Sequence, residues 1–363
     1  MLKNTGMAKA VRSLAPEHRG GFSFYLCLLA AAAAFMAAGC SGRNAGAASP
    51  QNDALVIYSP HAADMIEYIV REFRQRTDIN VEVVRGGTGE LIDRIKAGAD
   101  PQTADIIWGG GVESLETIRG CFIPYTSAED SAIISSFKSR DSLWSPFSVL
   151  PVVIMYNKDL VKGQDIPHCW SSLLRPFYRG HLAMADPAVS GSSYTILMTL
   201  LRSMSAGNSS YDAGWAYVKK LRLQLGAKGV GASSSAVYNS VASGDFFACI
   251  TFENSALSLI QSGRKVDYCY PSEGTSAVPD GIALVRGGKH PEQGRQFIDF
   301  VLSRDVQSIL SSRWHRRSVR GDIESSEIKL SRIRLVDYPI EDSARMRNPL
   351  LVRWTEIKSS GQP

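Results

Sequence analysis

The sequence predicts two α/β lobes, each a sheet flanked by helices, joined by two crossover strands. Three observations carry this. Strands alternate with amphipathic helices from residue 54 onward, the pattern of βαβ units on a largely parallel sheet. The same alternation restarts near residue 181, after a long extended run. About 320 residues remain beyond the basic and apolar leader, enough to build two cores.

The elements follow in order. "ALVIYSP" (Ala54–Pro60) is a strand that ends in a turn. "ADMIEYIVREFRQRTD" (Ala63–Asp78) places Ile66, Ile69, Val70 and Phe73 on one helical face. "INVEVVRGG" (Ile79–Gly87) alternates as a strand does, and "TGELIDRIKAGAD" (Thr88–Asp100) starts a helix after the glycines. "ADIIWGGG" (Ala104–Gly111) is a short buried strand closing in three glycines. "SVLPVVIMYNKD" (Ser148–Asp159) is the first crossover. In the second set, His181–Ala185 is an apolar strand, a helix follows from Ser190, and Asp212–Leu225 is another helix. Asp245–Gly263 reads strand, loop, helix, and "VDYCYP" is a further strand. "AVPDGIALVRGG" (Ala277–Gly288) is the return strand, and Pro291–Leu310 reads as one amphipathic helix. No repeat of fixed period is present.

The leader is excluded from the fold. Lys3, Lys9, Arg12 and Arg19 precede an apolar stretch from Phe22 to Ala38, and "AAGC" ends at Cys40. This resembles a bacterial lipobox, which implies cleavage before Cys40 and acylation of that cysteine. An uncleaved membrane anchor is the other reading, but the run is near the lower limit for spanning and rich in alanine. The expected organisation is a signal peptide (1–39), a lipidated tether (40–53), a first lobe (54–149 with 276–312), a second lobe (150–275) and a C-terminal segment (313–363) assigned to neither. The leader's four Lys/Arg and one Glu account for +3 of the +5 formal charge, leaving +2. That balance gives no reason to expect nucleic acid.

Four body cysteines remain, Cys121, Cys169, Cys249 and Cys269. None forms a C-x-x-C pair, which argues against a zinc or thioredoxin-type site. Cys249 and Cys269 lie in neighbouring strand-like runs. They pair as a disulfide, as an exported protein permits, or sit as two buried small residues.

Five polar turns follow strand ends: "YSPH", "GGTGEL", "WGGG", "DPAVSGSSY" and "TFENSA". In open α/β sheets ligands bind outside those ends, so two facing lobes would form a cleft lined by these turns. Ser59 and His61 lie on the first; His61 bonds a ligand hydroxyl or simply faces water. Thr88 and Gly89 offer N–H donors at a helix start, or only cap it. Trp108 stacks on a sugar or packs in the core, and Gly109 lets a ligand approach the backbone. Ser190, Gly191, Ser192 and Ser193 form either an ordinary N-cap or an anion site. Glu253 accepts from hydroxyls or an amine, or favours its helix dipole. Asp186 caps its turn. "RRSVR" (Arg316–Arg320) is a solvated face or a brace of the C-terminal lobe, outside the site.

Taken with "VIMYNKDL", "FYRGHLAMADPAVSGSSY", "ASSSAVYNSVASGD" (Ala232–Asp245) and "RRSVR", these turns resemble the substrate-binding proteins of ABC importers. The resemblance runs from Ala54 to Val336 and is to the subgroup that includes ferric-ion-binding and hexose-phosphate-binding proteins. It implies a type II periplasmic-binding-protein fold that closes on its solute like a flytrap. It also implies a monomer in the periplasm, held by lipid to a bacterial membrane and serving a permease and an ATPase. Ferric members of the subgroup use a histidine after the first strand, a glutamate after the third and two adjacent tyrosines. His61 matches the histidine, but glycine stands in the "WGGG" turn and Phe252–Glu253 occupies the tyrosine-pair position. The serine–glycine turn that binds phosphate beside the metal is matched by Ser190–Gly191–Ser192. The resemblance therefore implies a small phosphorylated organic solute (a sugar phosphate, phosphoglycerate or phosphonate), with no cofactor and no metal. Ferric iron is the alternative, since Tyr268 and Tyr270 share a strand face and ferric iron needs hard anionic oxygens.

A hydrolase is the rival from another class. It needs a nucleophile with a base in reach, yet neither G-x-S-x-G nor H-E-x-x-H occurs, and His61 is the one histidine on a predicted cleft turn. A surface adhesin on the same scaffold is the remaining reading. If the lipobox is used, intact-mass analysis of the mature protein shows an acylated N-terminal cysteine at position 40. A free N-terminus at any other residue would refute this.

Overall fold

The computed structural model describes residues 54–98, 103–206, 210–324 and 327–360. The leader, Cys40 and the tether lie outside the described residues. The first set of elements is β1 (Leu55–Ser59), α1 (Ala63–Thr77), β2 (Val81–Arg85), α2 (Thr88–Ala97), β3 (Ile106–Gly111), α3 (Val112–Glu116) and β4 (Phe122–Ile123). Then come β5 (Ser145–Asn157), β6 (Leu182–Ala185), α4 (Gly191–Met204), α5 (Asp212–Leu225), β7 (Val230–Gly231) and α6 (Ser234–Ser243). β8 (Ala248–Phe252), α7 (Glu253–Gln261), β9 (Val266–Cys269) and β10 (Ala277–Val285) follow. The chain ends in α8 (Pro291–Leu302), α9 (Arg304–Trp314), α10 (Ile340–Arg345) and α11 (Arg347–Ser360).

The strands run in the order β2-β1-β3-β10-β5-β8-β6-β7, with β4 added on β10 and β9 on β5. β5 spans both lobes. Its first half pairs antiparallel with β10, from Ser145 opposite Ile282 to Pro151 opposite Ala277. Its second half is flanked by β8 and β9. The side chains follow the same division. Phe147 and Val149 enter one core with Ile57, Phe73, Trp108 and Phe297. Val152, Ile154 and Tyr156 enter another with Trp170, Leu197 and Trp215. Val153 and Met155, on the opposite face, pack with Val237 and Val241. A strand buried on both faces reads as a continuous apolar run, which is why "VLPVVIMY" lacks alternation.

One expectation changes and two open alternatives are decided. Pro291–Leu310 is not one helix: Ser303, at φ −60° and ψ 153°, separates α8 from α9. Its Oγ donates to the Phe300 carbonyl and to the Asp305 carboxylate, both at 2.7 Å, and Asp305 stands in the first turn of α9, inside an unbroken apolar period. Cys249 and Cys269 cannot pair, because β8 and β9 lie on opposite edges of β5, with Cys249 facing Met155 and Cys269 facing Ile154. Two strand spacings, about 9–10 Å, exceed the ~7 Å reach of a disulfide. All four body thiols are unpaired.

The C-terminal segment, which the sequence assigns to neither lobe, contacts both. Arg317 bridges to Val149 of β5, and Thr275, just before β10, bridges to Leu335. α10 packs on α3, whereas α11 sends Leu350, Trp354 and Ile357 into the core built around Trp170 and Trp215. Among the described residues, no helix is long and apolar enough to cross a membrane.

Trp354 is fully buried and its Nε1 donates to Asp186 at 2.7 Å. Trp354→Ala is expected to cost about 3–5 kcal/mol of unfolding free energy, as for other buried aromatics. Urea denaturation checks this; a loss below about 1 kcal/mol would mean that α11 is only loosely docked.

Candidate functional site

Two helix N-termini of one lobe converge. Ser190 is the N-cap of α4, and its Oγ accepts from the Ser193 amide at 3.3 Å. Ser234 opens α6. The hydroxyls of Ser190, Ser192 and Ser234 form a triangle: Ser190 to Ser192 is 3.0 Å, Ser190 to Ser234 is 3.2 Å, and Ser192 to Ser234 is 2.8 Å. A third helix start comes from the other lobe. Thr88, the first residue of α2, lies so close to Gly191 that a Cβ added there would stand 3.0 Å from the Thr88 Cβ. Neither α4 nor α6 has an acid in its first turn. Helices gain from such an acid; here a serine caps each start instead, the Ser193 amide donating to Ser190 Oγ and the Ala236 amide to Ser233 Oγ.

The "WGGG" turn lies beside them. Gly109 and Gly110 have φ of +115° and +90°, a region that favours glycine. Each glycine also makes room for a side chain. An added Cβ would stand 2.7 Å from His61 Nε2 at Gly109, 2.7 Å from Thr88 Cγ2 at Gly110, and 2.5 Å from Glu113 Oε2 at Gly111. Glu113 is fully buried; its Oε1 accepts from Thr195 Oγ1 of α4, across the cleft, and its Oε2 has no hydrogen-bond partner. Burial pushes its carboxyl up from the usual range, against the bond from Thr195.

His61 stacks edge-on against Trp108, with ring centroids 4.9 Å apart, and lies 5.4 Å from Phe147. Its Nε2 makes no hydrogen bond and stands 3.8 Å from Asp280 Oδ2. Burial first, and then the Arg316 charge, hold His61 well below the ordinary imidazole pKa, so the ring is neutral. Asp280 accepts from the Ser148 amide at 2.9 Å, from Ser148 Oγ at 2.6 Å and from Arg316 Nη2. Burial pushes the Asp280 carboxyl up, and Arg316 and Ser148 oppose it.

Thr88, Gly109, Ser190, Gly191 and Ser192 thus lie close together, with His61 packed against Gly109. Other expected residues are used elsewhere. Trp108 cannot stack on a sugar, because it is 0% exposed and packed against Phe147 and Phe297. Ser59 and Ser193 are equally buried, and their hydroxyls donate to the carbonyls of Trp108 and Ala185. Gly89 lines a separate groove of about 630 Å³ with Lys96, Ala188 and Arg347. Glu253 is not free for a ligand: it holds Arg317 through two hydrogen bonds of 2.6 and 2.8 Å and accepts from the Tyr270 hydroxyl. Asp186 does cap its turn, accepting from the Ala188 amide at 2.9 Å. The "RRSVR" cluster is not a solvated face, since Arg316, Arg317 and Arg320 are all buried and paired with acids.

The sequence reading missed Ser234, Glu113, Asp280 and Arg317. Ser234 carried a signal, because the serine run 233–235 follows Gly231 much as Ser190 follows a strand-end turn. The three charged residues carried none: nothing local marks a charge as buried.

A family model described as bacterial extracellular solute-binding protein matches residues 102–326. The chain belongs to this family. A probable ABC transporter periplasmic-binding protein, y4fP of Sinorhizobium fredii, is 23% identical over 266 residues, covering 72% of this chain and 73% of that one. A putative 2-aminoethylphosphonate-binding periplasmic protein of Salmonella typhimurium is 26% identical over 267 residues, covering 70% and 74%. Among solved structures, the periplasmic binding protein AfuA of Actinobacillus pleuropneumoniae, bound to fructose-6-phosphate, matches with a TM-score of 0.76 and 23% identity over 84% of this chain and 98% of that one. A ferric binding protein of Campylobacter jejuni matches with a TM-score of 0.72 and 20% identity, covering 84% and 99%. These two likenesses establish the fold alone, a two-lobed type II periplasmic-binding-protein fold. The protein is a periplasmic solute-binding component of an ABC importer, which works with permease and ATPase components and is not an enzyme.

The buried neutral His61 gives a pH dependence with a definite sign. Its folded pKa lies below the ~6.5 of the unfolded chain, so its contribution is present above that value and lost as pH falls through the folded value. Glu113 acts oppositely: its contribution is present below about 4.5 and lost as pH rises through its raised folded value. His61→Gln should flatten the loss of unfolding free energy between pH 6.5 and pH 5, a slope of at most about 1.4 kcal/mol per pH unit. Urea titrations across that range measure it, and an unchanged slope would contradict the buried, neutral imidazole.

Proposed function

We propose that the solute is a small phosphorylated organic molecule, a sugar phosphate, phosphoglycerate or phosphonate, whose anionic group lies among Ser190, Ser192, Ser234 and Thr88. The single observation that carries this is the serine triangle between two helix starts that have no acid in their first turns. Hydroxyls and backbone N–H groups at a helix start suit a tetrahedral oxyanion. His61 Nε2 supplies one neutral group for the organic part.

Ferric iron is the second reading, and the ferric binding protein with this fold is the reason to keep it. The groups at hand favour it less. The Glu253 carboxylate is occupied by Arg317. Burial, and then the bond to Glu253, push the Tyr270 phenol far above its usual range, so it stays protonated. Iron(III) calls for anionic oxygens. Anchoring through a lipid on Cys40 belongs to this proposal as well.

Calorimetry of metal-free protein with fructose 6-phosphate, 3-phosphoglycerate, 2-aminoethylphosphonate and ferric citrate tests the reading. Charge-assisted hydrogen bonds contribute about 1.5–3 kcal/mol each. Ser190→Ala with Ser192→Ala should weaken binding of a phosphorylated solute by on the order of tenfold to a few hundredfold. Ser234→Ala should act in the same direction, and backbone donors keep some binding in each variant. Tight ferric binding with no heat from any phosphate or phosphonate would overturn the proposal.

A further inference from the structure

The "RRSVR" segment contributes no residue to the serine triangle. It runs extended beside β5, where the Val149 amide donates to the Arg317 carbonyl at 2.9 Å. Successive side chains of an extended segment point to opposite sides. Arg316 turns to the first lobe, where it bonds Asp280 of β10 and Ser148 Oγ at 2.9 Å. Arg317 turns to the second lobe, where its guanidinium meets the Glu253 carboxylate and lies 3.3 Å from the Tyr270 hydroxyl. Both partners of the Arg317–Glu253 pair are almost wholly buried.

The same segment touches α7 a second time. His315 ends α9 with φ +51°, and its ring nitrogen Nε2 is 3.1 Å from Gln261 Oε1. Glu253 and Gln261 are the first and last residues of α7, about 12 Å apart along the helix axis. One helix of the second lobe is therefore held at both ends by a segment fastened to the first. A rotation of ~20° between lobes would move one end of such a helix by ~4 Å relative to the other, more than a hydrogen bond tolerates. In the same arrangement Thr195 of α4 reaches Glu113 of α3.

We propose that Arg317 is a positioning residue for solute capture: with His315 it latches α7 to the first lobe and biases the protein toward its closed form. It acts through Glu253 and Gln261 and does not touch the serine triangle, so the latch works with or without solute. The proposal rests on closure of two lobes and not on the phosphorylated solute. Failure of the calorimetric titrations would leave it standing.

The test is small-angle X-ray scattering on the mature, dialysed protein without added solute. Arg317→Met should increase the radius of gyration and add a long-distance shoulder to the pair-distance distribution. Arg317→Lys should restore part of the difference, and His315→Ala, at the other end of α7, should shift the radius the same way by less. If Arg317→Met fails to fold, judged by circular dichroism, the paired replacement Glu253→Leu with Arg317→Met removes the stranded charge, because apolar pairs replace buried ion pairs with little loss. Folded variants that melt earlier but keep the wild-type radius would show a static brace and overturn the latch.

Discussion

β5 belongs to two cores at once, and the rest of the molecule is arranged around that. Thirteen residues long, it pairs with β10 over its first half and with β8 and β9 over its second. Phe147 and Val149 pack in one lobe; Val152, Ile154 and Tyr156 pack in the other. No slip of register is tolerated, since a shift of one residue would exchange every side chain between faces. The strand passes from one set of partners to the other between Pro151 and Val152. The strand-end turns of both lobes are consequently brought to face each other.

Glycine makes that meeting close. The three glycines that end β3 let His61, Thr88 and Glu113 pack directly on the backbone, and Gly191 lets Thr88 reach the start of α4. A side chain at any of these positions would force the lobes apart or displace a polar group. Neither α4 nor α6 has an acid in its first turn, whereas the neighbouring arginines are paired internally. Arg316 with Asp280 and Arg317 with Glu253 place four charges inside the protein. Removing one member of such a pair typically costs about 3–5 kcal/mol, because its partner is left buried and unpaired. Under the proposed reading, helix dipoles and hydroxyls attract the anion, and the buried ion pairs serve shape.

Much of the fold was legible in the sequence. Helical and alternating patterns located α1 and β2, turn residues bounded β1, α2, β3 and β10, and the long apolar run at 148–159 marked the crossover strand. Local chemistry also marked the serine and glycine turns as places where backbone is exposed. It failed where one signal hid another: the Ser303 restart lay within a continuous apolar period, and α11, whose apolar residues follow no clean stripe, left no trace.

The sequence by itself determined that two α/β lobes would form and that polar turns would gather at their strand ends, because these follow from periodicity and from the conformational demands of serine and glycine. Only the tertiary structure decided which of those turns meet. Ser234 joins Ser190 and Ser192 across more than forty residues of chain, and Thr88 arrives from the other lobe. It also decided that Glu253, Trp108 and the arginines of "RRSVR" are interior groups. Burial and pairing are set by partners distant in the chain, Arg317 lying sixty-four residues from Glu253, and no local pattern records such a partner.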